Sequence, residues 1–239
     1  MHEKSVNPLS DFRAVNVDGT LNLARQSAAA GVKRFIFISS IKVNGEHTLP
    51  GHPFSANDIP DPIDFYGISK FEAEEGLRLI GANSKMEIVI IRPVLIYGPS
   101  VKGNFLSMVR WLKKGLPLPF GSISNLRSLV YLDNLIDLIA TCLHHPAAAN
   151  QIFLVSDGED VSTTELLRRV SLALGLRPLL LTAPIFFIKI ALTLLGKKNA
   201  YQRLFGSLQV DIGKTRNLLN WNPPFSLDQG LINTFKDFK

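Results

Sequence analysis

Short unbroken apolar runs alternate along this chain with longer stretches in which apolar residues return every three or four positions. The runs are residues 35–38, 88–91 and 152–155, the pattern of strands buried on both faces of a parallel sheet. Residues 13–30 carry Val17, Leu21, Leu23 and Ala24 at helical spacing and meet Gly31 as a stop signal. Residues 66–80 combine good helix formers with an apolar stripe, residues 103–111 open another helix that ends at Gly115, and residues 135–143 form an apolar helical stretch. Ser162, Thr163, Thr164 and Glu165 make a capping-box sequence ahead of Leu166 and Leu167. Residues 1–12 are polar and read as loose, residues 46–62 as a proline-rich surface loop, and residues 157–160 as an acidic turn. A strand at 35–38, a helix from Tyr66 and a strand at 88–91 make one βαβ unit with polar groups collected at one end.

Composition narrows the options. At 239 residues, 46% hydrophobic and 19% charged, the chain suits one large or two small domains with a buried core, not a disordered segment. It carries a net charge of +6 and a pI near 9.5. The basic residues are scattered and no basic run is interleaved with aromatics, which argues against a nucleic-acid partner. A positive balance suits a diphosphate ligand, an anionic membrane surface, or plain solubility. Cys142 is the sole cysteine, so neither a disulfide framework nor a cysteine zinc site forms within one chain. His47 and His52 lack an evident third ligand and read as solvated loop residues, so no metal is expected. The polar start shows no signal-peptide pattern, and a cytoplasmic location is expected. Residues 179–195 are the one membrane-like stretch, close to the ~20 residues a span requires. Pro184 and Lys189 interrupt it, and a central lysine costs at least ~2.5 kcal/mol in lipid. It reads as an apolar helix suited to peripheral membrane contact.

Chemistry gathers around two places. Ser39 and Ser40 close the strand at 35–38, and in open parallel sheets working residues collect just past the carboxyl ends of strands; the alternative is that both serines only bond local backbone. Tyr66 and Lys70, four apart, fall on one face of a helix. A lysine ammonium close to a phenol favours the phenolate, which makes the tyrosine a general base near neutral pH. Alone, the Tyr/Lys spacing is weak, because any amphipathic helix can carry it.

In order, the strings FISSIKVNG (37–45), YGISK (66–70) and IVIIRPVLIYGP (88–99) resemble the extended short-chain dehydrogenase/reductases, within them the nucleotide-sugar epimerases and 4-ketoreductases. The resemblance runs from Asn16 to the C-terminus. It implies an α/β fold: the later half of a Rossmann-like parallel sheet over residues 1–99, then a smaller α+β substrate-binding domain over 100–239, with some segments returning to the first sheet. It implies Ser40, Tyr66 and Lys70 as the catalytic set. Tyr66 exchanges the proton of the sugar 4-hydroxyl while C4 exchanges hydride with the nicotinamide, Ser40 bonds the same oxygen, and Lys70 lowers the Tyr66 pKa. It assigns Asn16, Ser39, Tyr66, Lys70, Pro93 and Val94 to the cofactor, NAD or NADP, and Asn104, Arg127 and Arg203 to a nucleotide sugar. Asn16 has a second reading as a helix N-cap, and Arg127 as an exposed loop arginine. A homodimer is compatible with the same likeness. Ile41 and Lys42 stand where the dehydratase branch carries an acidic pair, which argues against that activity.

The chain departs from the family at its front. No G-x-x-G-x-x-G or G-x-G-x-x-G occurs anywhere, although a dinucleotide fold needs such a turn to bring backbone close to the pyrophosphate. The resemblance therefore implies a chain lacking the first four strands. An inactive nucleotide-sugar-binding or interaction module is the alternative to an enzyme, and the strand at 35–38 is expected to present an unpaired edge.

Overall fold

The computed structural model describes residues 7–101, 103–184, 186, 188 and 204–236. A continuous helical stretch opens it. Helix α1 (Pro8–Arg13) runs through a π-helical turn (Ala14–Gly19) into α2 (Thr20–Ala29). Residues 8–12 are thus helical rather than loose: Pro8 sits in the first turn, where its missing N–H costs nothing, and the Asn7 side chain caps Ser10. Gly31 then takes φ +76°, the left-handed conformation that ends helices. Strand β1 (Arg34–Ile38) follows, then a 3₁₀ turn (Ile41–Val43), the long helix α3 (Phe65–Ala82), and β2 (Glu87–Pro93).

Strands β1 and β2 pair in parallel, Arg34 opposite Glu87 through Ile38 opposite Ile91. Strand β5 (Ile152–Val155) adds on the far side of β2 in the order β1–β2–β5. This is the parallel sheet expected from the three apolar runs. Strands β2 and β5 are buried along nearly their whole length; β1 lies at the edge and is half-buried except at Phe37. One face packs Ala24, Phe37, Ala73, Leu77, Ile88 and Ile90 under α2 and α3. The other packs Val89, Ile91 and Phe153 against α5 (Leu132–His144) and α7 (Gly213–Leu219), with Leu138, Cys142, Leu219 and Trp221. Burial pushes the Cys142 thiol up to about 11.

A second sheet joins β3 (Leu95–Tyr97), β4 (Arg127–Tyr131) and β6 (Asp160–Val161), with β3–β4 parallel and β4–β6 antiparallel. It packs with α4 (Gly103–Lys113), α6 (Thr163–Ala173) and α8 (Leu227–Phe235) around Tyr97, Phe105, Val109, Leu129, Leu167 and Leu231. Ser162 caps α6 through the Glu165 amide, but the Glu165 carboxylate bonds Arg169. The reciprocal capping box forms instead at Ser226 and Gln229, ahead of α8. Among the described residues no helix is long and apolar enough to cross a membrane; most of the apolar stretch 179–195 lies outside them.

Candidate active site

Three local features bring Ser40, Tyr66 and Lys70 together at the carboxyl end of β1. Ser40 is extended and caps the 3₁₀ turn, its Oγ accepting from the Lys42 amide at 3.3 Å. Tyr66 lies in the first turn of α3, whose N-cap Asp64 accepts from the Gly67 amide at 2.6 Å. The helix then docks onto the turn at Gly67. A Cβ there would stand 2.7 Å from the Lys42 carbonyl oxygen and 3.2 Å from the Pro62 side chain, so the second residue of YGISK admits no side chain without moving the turn. This close approach leaves the Ser40 hydroxyl near enough to the Tyr66 phenol to act on its ionisation. Lys70, one helical turn on, donates to the Ile38 carbonyl at 2.9 Å and lies 4.5 Å above the Phe37 ring.

Electrostatics at the site differ from the expectation in one respect. Burial raises the Tyr66 phenol above its ordinary value of 10.0, and the Asp64 carboxylate raises it further; Lys42 and the Ser40 hydroxyl act in the opposite direction. Lys70 is not the cation that lowers it. Its ammonium is 5.9 Å from the Tyr66 ring centre and directed at Ile38, and burial lowers its own pKa against the pull of Glu74. Lys42 is the nearer influence. It bonds Glu46 at 2.8 Å and also Asp64, bonds that together outweigh burial and raise its pKa.

The remaining expected residues fall as follows. Asn16 lies inside the π-helical turn rather than at a helix start, which removes the N-cap reading; its Nδ2 donates to Ser69 Oγ at 2.9 Å, and Ser69 donates to the Tyr66 carbonyl at 2.8 Å. It therefore braces the first turn of α3. Ser39 turns its hydroxyl away from Ser40, into the protein, onto Glu74 at 2.5 Å. That differs from a cofactor role for this side chain. Pro93 and Val94 are buried where β2 ends. Arg127 begins β4, half-buried, and donates to the Gly206 carbonyl at 3.1 Å. Residues 206–211 connect it to the first layer: Leu208 bridges Arg127, and Val210 bridges Phe54 in the loop that follows Ser40. Asn104 lies in the first turn of α4. Arg203 lies outside the described residues.

Several contacts were not read from the sequence. Phe12 sets its ring edge-on to Tyr66 with centres 5.8 Å apart. Its place five residues after Asn7, in a stretch without a full helical repeat, left no pattern to read. Glu74 and Arg92 form a buried pair behind Lys70. Here there was a signal, a lone arginine closing an apolar strand, which a parallel strand buried on both faces tolerates only with a partner. A cavity of about 180 Å³ is lined by Ile96, Tyr97, Gly98, Pro99, Val101 and Leu132; none of the proposed catalytic residues lines it.

A nicotinamide cofactor fits this geometry at one end. Ser40, Tyr66 and Lys70 stand half-buried where β1 ends, with Pro93 and Val94 buried where the paired β2 ends, the half-enclosed polar setting that the reactive ring of such a group requires. The glycine-rich turn that would cradle its pyrophosphate is not among these 239 residues.

The model of the "NAD dependent epimerase/dehydratase family" matches residues 2–156. The chain is 53% identical over its full length to a UDP-glucose 4-epimerase of Vibrio cholerae, of which it covers 73%. It is 29% identical over 98% of its length to N-acetyl-alpha-D-glucosaminyl-diphospho-ditrans,octacis-undecaprenol 4-epimerase of Escherichia coli O157:H7, covering 74% of that protein. Among solved structures, the Bordetella bronchiseptica enzyme WbmG in complex with NAD superposes with a TM-score of 0.76 at 21% identity, over 99% of this chain and 70% of that one. A UDP-glucose 4-epimerase of Thermotoga maritima with UDP-glucose does so with a TM-score of 0.74 at 23% identity, over 95% and 70%. These likenesses fit the α/β, Rossmann-like reading of the fold.

Proposed function

The chain belongs to the NAD dependent epimerase/dehydratase family, and from that premise we propose that it acts on a nucleotide sugar, a UDP-hexose or UDP-N-acetylhexosamine, as a 4-epimerase. The observation that carries this reading is the gathering of the Ser40 hydroxyl, the Tyr66 phenol and, one helical turn on, the Lys70 ammonium at the carboxyl end of β1. The name of the Vibrio cholerae relative favours epimerisation over reduction of a 4-keto sugar, which would use the same side chains.

A bound nicotinamide would supply a reversible hydride acceptor for C4 of the sugar. The chain's own groups manage the proton. As a phenolate Tyr66 Oη accepts the C4 hydroxyl proton as hydride leaves, and as a phenol it gives that proton back as hydride returns. In the chain by itself burial and Asp64 disfavour the phenolate, and the positive charge of a bound oxidised nicotinamide would favour it. Ser40 Oγ bonds the same oxygen and orients it. Lys70, with its charge directed at the end of β1, holds the cofactor ribose. Phe12 and the loop 46–62 help to wall the phenol from water. Asn104, Arg127 and Arg203 engage the nucleotide diphosphate, for which a guanidinium fork suits phosphate oxygens. In this reading residues 1–99 carry the proton chemistry and residues 100–239 mainly hold the substrate.

The test is to incubate the purified chain with UDP-glucose or UDP-N-acetylglucosamine and NAD or NADP, and to follow the 4-epimer by chromatography. Turnover lost in Tyr66→Phe supports the proposal; turnover equal in that variant overturns it. The alternative reading is a nucleotide-sugar-binding module without turnover. Tight NAD binding by calorimetry would count against that module.

A further inference from the structure

We propose that the buried Glu74–Arg92 pair is a positioning device for the Ser40, Tyr66 and Lys70 set, a role that rests on the reading of that set as an acid/base centre. Glu74 Oε1 accepts from Ser39 Oγ at 2.5 Å and from Arg92 Nε at 2.9 Å, and its Oε2 accepts from an Arg92 terminal nitrogen at 2.6 Å. The other Arg92 terminal nitrogen donates to Asn44 Oδ1 at 2.9 Å, and Asn44 Nδ2 donates to the Ser55 carbonyl at 2.9 Å. Ser39, Asn44, Glu74 and Arg92 are all at most 3% exposed.

The placement of these bonds is what matters. Ser39 immediately precedes Ser40, and Asn44 immediately follows the 3₁₀ turn that Ser40 caps. One ion pair therefore grips that turn at both ends. Glu74 lies one helical turn beyond Lys70 on α3, and Lys70 itself bonds Ile38, the neighbour of Ser39. The end of β1 is thus tied to α3 twice, and β2 supplies the arginine that fixes the second tie. Lys70 and Arg78 on α3, and Lys214 on α7, are the other charges facing the pair; Arg78 reaches Glu74 at 3.5 Å and Arg92 helps to lower the Lys214 pKa.

Stability alone does not account for an ion pair in this place. Burying two charges is expensive, and apolar residues of similar volume often replace such a pair with no loss. A bidentate fork with a fixed reach does what apolar packing does not: it sets the distance between two strand ends and a turn. A misplacement of about 1 Å at reacting groups is enough to lower a rate by as much as ~10²-fold.

The experiment compares the full chain with Glu74→Leu/Arg92→Met and with Ser39→Ala, which removes one grip and leaves the ion pair in place. Four quantities are read: the melting temperature, kcat, KM for the nucleotide sugar, and hydrogen exchange at the Val43, Asn44 and Gly45 amides. Those amides bond to Ser40 and Ile41 within the turn. The expected result is a double variant that melts within a few degrees of the wild type, with kcat down by about tenfold or more, KM little changed, and faster exchange confined to the turn. Ser39→Ala gives the same pattern at smaller amplitude and decides the matter if the double variant does not fold. Faster exchange throughout α3 and β2 together with a lower melting temperature in Ser39→Ala would show a merely structural pair and overturn the proposal. So would wild-type exchange at the three turn amides. If no nucleotide sugar is turned over by any form, the enzymatic reading fails, and the exchange pattern still decides whether the pair holds the turn.

Discussion

Each layer of the molecule buries a carboxylate at the carboxyl ends of its strands, and the two are used differently. In the first layer Glu74 is matched by Arg92 and binds Ser39, one residue from Ser40. In the second, Asp157 has no cation among the described residues. It accepts from the Tyr97 hydroxyl, the Tyr131 amide and Asn134 Nδ2, each at 2.7 Å, and burial raises its pKa in spite of these donors. No buried side-chain nitrogen or oxygen among the described residues lacks a partner, so both groups are satisfied. What separates them is what their partners hold. The first grips a turn that presents a hydroxyl to a phenol. The second joins β3, β4 and α5 to the segment before α8, with Asn134 also bonding Phe225, and carries no candidate catalytic residue. A fully bonded buried carboxylate therefore marks an architectural junction, and only its neighbours tell whether chemistry sits on that junction.

That contrast can be broken most sharply at Tyr66. Tyr66→Phe is expected to cut epimerase turnover by at least ~10²-fold, the range for loss of a general acid/base, while the melting temperature stays near wild type because the ring and its contact with Phe12 remain. Steady-state kinetics alongside a thermal melt checks both halves. Next in size is Gly67→Ala, whose Cβ meets the Lys42 carbonyl. A forced shift of the turn is expected to destabilise by about 1–3 kcal/mol and to lower kcat at the same time, read from denaturant unfolding and turnover. In the second layer, Tyr97→Phe removes one donor from Asp157 and is expected to destabilise by about 1–3 kcal/mol with kcat unchanged. A fall in kcat per folded molecule there would erase the distinction between the layers.

The smallest effect is a titration. Asp64→Asn keeps an N-cap side chain and removes the carboxylate that raises Tyr66, so the Tyr66 phenol, followed by phenolate absorbance against Tyr66→Phe, is expected to ionise at lower pH than in wild type. The same shift appears in stability. Because the folded Tyr66 pKa lies above the unfolded 10.0, the folded chain keeps a proton that the unfolded chain loses, and this contribution to stability is full below pH 10.0 and declines as pH rises through the folded value. In Asp64→Asn that decline is shallower. Unfolding measured on both sides of pH 10 tests the sign.

Much of the site was legible because its carriers obey local rules. The run at 35–38 with serines at its end, the helical stripe after Tyr66 and the run at 88–91 each declare an element within a few residues of its ends. The Tyr/Lys spacing places two side chains on one face whatever surrounds the helix. Glu74 was illegible for the opposite reason. Among Glu72, Glu74 and Glu75 it reads as one more solvated carboxylate, yet Glu72 bonds Arg13, Glu75 bonds Arg78, and Glu74 alone is enclosed. By sequence Asp157 likewise reads as part of an acidic turn. Gly158 does take φ +79° there, while Asp157 points inward.

By itself, then, the order of residues determined the parallel β–α–β unit, the carboxyl end at which polar groups collect, and the candidacy of Ser40, Tyr66 and Lys70, because periodicity and strand ends are short-range properties of a chain. The tertiary structure alone decided which carboxylate is buried, which cation influences the phenol, and where Ser39 turns. Those outcomes depend on groups 18 to 48 positions apart meeting out of water, as Arg92 does with Glu74 and Asn44, and in that setting the cost of an unpaired charge, not its local sequence, selects the partner.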